Sequence, residues 1–570
     1  MRSVYRLVSA LTVTLLAGCA ASSASNNPQA TAPVSALGSY LAAQHAQAMH
    51  DYGDAANFLE RALAADPSNY DLVRHVFLLR VSDGRVEESV PLAQRIIGID
   101  GRSGLPGMVI LEQALKAGKY DEAAKLAQAM PREGAQRFAV PLFLAWAEAG
   151  RHQFGPALQA LDVMNGVNGI APLHDLHTAL IEDYTDRVDE AKASFQHVLA
   201  GPQAPTWRVA ELAGNFYERH GDAAAAKQVY EKIGAEQGTI DVATAGLARL
   251  AKRTVPPRVI ATPADGAAEA MFDLAGLLNV PETMDAALIY ARLALDLSPH
   301  FALAQMLVGE IRDAQERPAE ALALYQAIDP QSPYAWMAQL RAALELDALD
   351  RTDEAVAKLK SLAADRPTRS EPLIELGDIL RSHKRFAEAV SAYDEAATRI
   401  PHPQPDDWRL FYSRGVAEER TNNWPRAEAD LKQALALQPN QPLVLNYLGY
   451  SWIDRGENLN DALGMIKHAV DLRPNDGYIV DSLGWAYFRL HDFDHATEYL
   501  ERAIELLPAD PTINDHLGDA YWRAGRQAEA RYQWQRALQF QPEADEIKGI
   551  QAKLDHGLSA LPSSASVNGG

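Results

Sequence analysis

Apolar residues recur at spacings of three and four along most of this chain and are broken at short intervals by polar turns, a pattern that predicts short amphipathic helices throughout. The pattern is plainest near the C-terminus. Residues 445–474, 480–508 and 514–542 read LNYLGYSWIDRGENLNDALGMIKHAVDLRP, VDSLGWAYFRLHDFDHATEYLERAIELLP and NDHLGDAYWRAGRQAEARYQWQRALQFQP, three versions of one unit. In the second, Leu483, Trp485, Ala486 and Tyr487 fall on one helix, and Ala496, Tyr499, Leu500 and Ala503 on another. Gly449, Gly484 and Gly518 stand 35 and 34 residues apart, and Ala462, Ala496 and Ala530 stand 34 apart. Small residues at these places let two helices approach closely. Pro474, Pro508 and Pro542 end the second helix, because proline cannot continue a helix interior. Each unit is a helical hairpin with an apolar face left for its neighbour.

The best unit supplies Leu517, Gly518, Tyr521, Ala530, Trp534, Ala537 and Pro542, which resembles the tetratricopeptide repeat. The resemblance implies an all-α fold, a solenoid of helical hairpins wound as a right-handed superhelix. Upstream it recurs around Gly415, Ala427 and Pro439, around Gly377, Ala389, Tyr393 and Pro401, around Ala355 and Pro367, around Gly309, Ala321 and Tyr325, and around Ala275, Ala287 and Pro299. That gives eight units over 268–542. Before residue 252 the pattern is weaker. Residues 48–67 carry Ala55, Leu59, Ala62 and Pro67, and 114–130 and 217–233 read as half-units; repeat length then places about six hairpins in 36–251. The stretch KRTVPPRVIATPADGA, 252–267, interrupts the helical period with three prolines and reads as an extended joint between two halves of the solenoid. Residues 543–561 read as a helix capping the end of the stack, and 562–570 as a disordered tail.

The chain begins differently. Arg2 and Arg6 precede an apolar run from Leu7 to Ala17, too short to span a bilayer and of the length of an export signal's apolar core. The run ends in Leu16-Ala17-Gly18-Cys19, which resembles the bacterial lipobox. That resemblance implies removal of residues 1–18 and acylation of Cys19, the chain's one cysteine, so that two or more acyl chains hold it stably on a membrane. Ala20 stands where the inner-membrane retention signal of lipoproteins would place Asp, so the same analogy implies the outer membrane, facing the periplasm. Small, polar and proline-containing residues from 19 to 37 read as a flexible tether.

Net charge narrows the partners: at a formal −22 with no compensating basic stretch, the chain repels phosphate backbones, and nucleic acid is not an expected partner. Catalytic and metal-binding patterns do not occur; there is no H-E-x-x-H, G-x-S-x-G, phosphate loop, calcium loop or cysteine pair. Histidines at helical spacing, His174 with His177 and His491 with His495, have no third ligand in pattern and read as solvent-exposed or turn residues. The expectation is a protein that is not an enzyme and that carries no cofactor and no metal.

In tetratricopeptide proteins the first helix of each hairpin lines a concave groove through positions two, five, nine, twelve and thirteen of the repeat. With Gly484 and its counterparts as position eight, that frame places Asn446, Asp481 and Asp515 at five, Tyr450, Trp485 and Asp519 at nine, Ile453, Phe488 and Trp522 at twelve, and Asp454, Arg489 and Arg523 at thirteen. From these the resemblance implies a partner-binding groove of Asn446, Tyr450, Asp481, Trp485, Arg489, Asp515, Asp519, Trp522 and Arg523. The whole chain is similar to long proteobacterial tetratricopeptide lipoproteins of the outer membrane. Some of these act as adaptors that bind C-terminal-processing proteases and bring cell-wall hydrolases to them; others are scaffolds of envelope export machines for exopolysaccharide or pili.

Overall fold

The computed structural model describes residues 35–101, 104–201, 205–237 and 241–559. Cys19 with the signal before it, and the tail at 562–570, lie outside them. Within the described residues are thirty α-helices, α1 to α30 in chain order, and no strand. Short polar side chains start several of them: Asn69, Asp476 and Asp510 each accept the backbone N–H three residues on, which pairs a donor that every helix start leaves free. Hairpin turns hold a residue in the left-handed conformation, glycine at Gly84, Gly118, Gly456 and Gly525, but His152, Asp186, Glu316, Asp350, Lys384 and Asn422 elsewhere. Within a hairpin the two helices touch at glycine. A Cβ on Gly377 would stand 2.3 Å from the Tyr393 ring, and one on Gly518 2.5 Å from Trp534.

The chain divides into two compact units, one ending at Ala355 and the other beginning at Val356. The boundary does not fall at the proline-rich stretch 252–267. In the first unit, hairpins run from α1 (Ala36–Ala48) and α2 (Tyr52–Ala65), through α3 (Tyr70–Asp83), α5 (Gly104–Lys116), α7 (Gln136–Gly150) and α9 (Ala171–Tyr184) with their partners, to α11 (Trp207–Arg219) and α12 (Ala223–Gln237), with α13 (Asp241–Lys252) after them. Residues 253–262 then cross without helix to the inner side of these repeats, where Asn215 Nδ2 donates to the Pro257 carbonyl at 2.8 Å and Arg258 to Asp186 at 2.7 Å.

Thr262 and Asp265 form a capping box that starts α14 (Pro263–Leu278), which pairs with α15 (Met284–Leu297). This hairpin is the centre of the first unit: α14 packs on α7 and α9, and α15 on α3. Its sequence demands that place. Gly266, Ala267, Ala268, Glu269, Ala270 and Met271 are buried in succession, and a helix that is apolar on all sides must be covered on all sides. The 252–267 stretch is thus a crossover within one unit, and a single core runs from Ala43 to Tyr334. The following hairpin, α16 (Ala302–Ala314) and α17 (Pro318–Gln326), returns to the first repeat, where Arg312 Nη2 donates to the His50 carbonyl at 2.8 Å and Arg317 to Asp51 at 2.8 Å.

After α18 (Ala335–Ala348) and α19 (Thr352–Asp365), the second unit stacks five hairpins whose first helices are α20 (Glu371–Ser382), α22 (Trp408–Arg420), α24 (Pro442–Arg455), α26 (Gly477–Arg489) and α28 (Pro511–Arg523), each followed by its partner up to α29 (Gln527–Gln539). Its own core runs from Trp408 to Ile550. The last helix, α30 (Ala544–His556), packs on α29 through its buried Ile550. Lys384, in the turn after α20, reaches the Glu543 carboxylate at 3.2 Å.

Candidate partner-binding surface

The first unit shows what the inward positions of these repeats do. Counted in the same frame, Trp146 on α7 is position nine, His177 on α9 position six, and Arg208 on α11 position two, and all three meet the central helix α14. The Trp146 indole lies flat on Gly266, where a Cβ would stand 2.3 Å from ring carbons. Its Nε1 donates to His177 Nδ1 at 3.1 Å, which leaves the proton of that imidazole on Nε2, 3.3 Å from Asp273. Arg208 forks onto the fully buried Glu269 with bonds of 2.5 and 2.9 Å, and also holds Glu211 at 2.7 Å. On α5, Gln113 and Lys116 both reach Asp296 of α15, at 2.8 and 2.9 Å. His177 is therefore a fully buried link to α14, not the exposed histidine that its spacing with His174 predicts. His491 lies in the turn before α27 (Phe493–Leu506), and His495, in the first turn of that helix, bonds Asp492 at 2.7 Å. A cavity of about 210 Å³ opens beside Arg208, but its charged lining is already joined, with Tyr334 Oη donating to Glu211 at 2.6 Å.

In the second unit the nine predicted groove residues separate into three groups. Asp481, Asp515, Asp519 and Arg489 are engaged within the chain. Asp481 bonds His516 of the next first helix at 3.0 Å, Arg489 pairs with Asp454, and Lys553 of α30 reaches Asp515 and Asp519, each at 2.8 Å. Asp519 also accepts from Trp534 Nε1 at 2.9 Å, so it serves the interior of its own hairpin. Burial opposes the charged form of His516, but the carboxylates of Asp481, Asp515 and Asp519 outweigh it and raise its pKa.

Trp522 and Arg523 form a second group, beneath the segment that ends α30. A Cβ on Gly557 would stand 2.0 Å from the Trp522 ring, and Arg523 donates to the Ser559 carbonyl at 2.7 Å. The inward side of the last repeat is thus covered by its own chain. Asn446, Tyr450 and Trp485 are the third group. All are half-buried; Asn446 Oδ1 and Trp485 Nε1 have no hydrogen-bond partner among the described residues, and burial next to Asp481 and Asp454 raises the Tyr450 hydroxyl to about 12. Trp485 stacks between Phe488 and His516, with centroids at 4.8 and 4.1 Å. Sequence reasoning missed Arg409, position two of α22, which is exposed and has no carboxylate partner among the described residues. The repeat frame itself could have found it. No group of three or more His, Cys, Asp or Glu able to hold a metal occurs among the described residues.

The repeat family found by comparison with known proteins agrees with this architecture. The family described as tetratricopeptide repeat matches residues 40–103, 340–403, 402–442, 412–476 and 482–545. A TPR repeat-containing protein of Pseudomonas aeruginosa is 29% identical over 194 residues, 34% of this chain and 32% of that protein. Human tetratricopeptide repeat protein 13 is 28% identical over 25% of this chain and 16% of its own length, so the chain matches less than a third of either relative. Among solved structures, the Cut9–Hcn1 hetero-tetramer of the APC/C aligns over 91% of this chain and 95% of its own at 14% identity and TM-score 0.39; yeast Tom70 aligns over 92% and 95% at 15% and TM-score 0.33. The chain carries tetratricopeptide repeats and folds as an all-α, tetratricopeptide helical-hairpin solenoid.

Proposed function

We propose that this chain is a periplasmic adaptor, held at the outer membrane by lipid on Cys19, which binds protein partners on the inward side of its second unit. In this reading the partners are a C-terminal-processing protease and the cell-wall hydrolases brought to it. The observation that carries a binding role is the contrast between the two units. The inward positions of the first are filled by α14 and α15, whereas among the described residues no such added helix packs on α22, α24 and α26, and Asn446 and Tyr450 stay half-buried. Aromatic and arginine side chains placed in this way dominate the energy of protein interfaces. The envelope setting is supported by the charged, apolar and Leu-Ala-Gly-Cys order of the first 19 residues.

Two measurements test the reading. Cys19→Ser should move the protein from the membrane to the soluble fraction with its circular dichroism unchanged; retention in membranes would overturn the anchor. Capture from detergent-solubilised envelopes, with the intact chain compared against Tyr450→Ala/Trp485→Ala, should recover the protease or a hydrolase only with the intact chain. Recovery of export-machine subunits instead would replace the adaptor with a scaffold, and equal recovery by both baits would remove the inward side as the binding surface.

A further inference from the structure

The two ends of the described chain are finished differently. Stacked repeats leave a bare face at each end, and a polar outer surface on the terminal helix keeps that face in water. At the C-terminal end α30 supplies one, with Lys548 and Asp555 exposed. At the other end α1 packs on α2, buries Ser39 and Ala43, and leaves Leu37, Tyr40 and Leu41 68%, 39% and 59% exposed. Spaced by three and four, these three share one side of the helix, which the exposed Gln44, His45 and Ala48 continue. Charge is missing there as well. From Leu7 to His50 the chain has no Asp, Glu, Lys or Arg, although these make up 22% of the whole.

From this we infer that the outer side of α1 lies on the phospholipid surface that holds the lipid of Cys19, with Leu37 and Leu41 at the edge of the acyl chains and Tyr40 among the headgroups. The inference rests on the lipid anchor of the proposed function and names what that end of the chain touches. Distance supports it. Ser35, the first described residue, stands sixteen residues after Cys19, and even fully extended that length reaches about 55 Å at most. A second contact joined to a first by so short a link acts at an effective concentration on the order of millimolar, so a few apolar side chains suffice. Composition supports it too. An acidic surface is repelled by anionic headgroups, whereas an uncharged helix with apolar side chains and a tyrosine suits the interface. The chain does not supply another cover from the residues between, because Val34 is the one large apolar side chain in 20–34. Without a lysine or arginine α1 has no electrostatic hold of its own on anionic lipid, so its contact depends on the anchor.

The test uses the acylated protein in vesicles of phosphatidylethanolamine and phosphatidylglycerol. Lipid occupies the Cys19 sulfur, so His45→Cys, on the same side of α1 as Leu41, provides a single free thiol for an environment-sensitive nitrobenzoxadiazole label. Doxyl-labelled phospholipid is expected to quench this label at least twofold. Leu37→Glu/Leu41→Glu should abolish the quenching while the protein still floats with the vesicles; both side chains are exposed, so the thermal melt should not change. Emission indifferent to doxyl lipid in protein that floats would overturn the inference and leave the anchor standing. Protein that does not float would remove the anchor and the contact together. If the label were shielded without being quenched, and Leu37→Glu/Leu41→Glu halved the sedimenting mass of the detergent-solubilised protein, a second copy would cover α1 and the lipid contact would fall.

Discussion

Glycine decides how closely the hairpins close, and it does so by absence of a side chain. Gly377 and Gly518 lie against fully buried rings with no room for a methyl group. Gly518→Ala is expected to cost about 1–3 kcal/mol through overpacking, seen as an earlier urea midpoint. The hairpin turns show the reverse case. Glu316 and Asp350 hold φ of 59° and 58° with no side-chain bond, a conformation that disfavours every residue with a Cβ. Asp350→Gly should therefore stabilise the chain by about 0.5 kcal/mol, the relief of backbone strain exceeding the extra entropy of the unfolded glycine. Glu418 sets a pH dependence. Burial, with Asp430 nearby, raises its carboxyl to about 7 although Arg426 lies at 2.9 Å. The folded chain then keeps a proton that the unfolded chain releases near pH 4, so this contribution to stability is present in acid and lost as pH rises through 7. Glu418→Gln should flatten urea midpoints measured from pH 5 to 9; an unchanged slope would refute the assignment.

At the scale of helices, what could be read from sequence was what is local. Gly484 and Ala496, Gly518 and Ala530, and the closing prolines lie within one hairpin, so their spacing betrays the eight helix pairs from α14 to α29, whereas the six before α13 follow only from repeat length. The place of α14 was hidden, because its partners Trp146, His177 and Arg208 stand 61 or more residues away at no repeating interval from it. A trace existed in composition: GAAEAM has too few polar positions for a helix with one wet side. The same burial explains the erosion of the early repeats, whose inward positions are adapted to α14. Lys553 is the other long-range residue that the groove frame left out, and it takes two of the predicted groove carboxylates. Arg208→Met would strand the buried Glu269 carboxylate and is expected to cost about 3–5 kcal/mol, with faster hydrogen exchange across 263–278. Adding Glu269→Gln should recover much of that loss, which distinguishes an unpaired charge from lost packing.

On the scale of each unit, closure is polar and differs in strength. The first unit is closed by the nearly inaccessible Arg312 and by Arg317, each bonded to the first repeat. In the second, Lys384 and Glu543 are both well exposed, and an exposed pair is weak and screened by salt. Spin labels at Ala387→Cys and Gln541→Cys, in a Cys19→Ser background, should report a short separation at low ionic strength that broadens in high salt. Lys384→Glu should give the broad distribution without salt; a distribution indifferent to both changes would show that packing alone fixes the closure.

The central hairpin also sets a timetable. Most solenoids can assemble repeat by repeat as the chain leaves the ribosome, because each hairpin needs only the neighbour already made. Here the earliest hairpins lack their inner covering until α14 and α15 have been synthesised, and the bonds from Tyr52 to Asp285 and from Asp51 to Arg317 join residues 233 and 266 apart. The early repeats must wait until half the chain has followed them, with apolar inner surfaces exposed, which makes them clients for chaperones and slows a fold whose local contacts would otherwise form quickly.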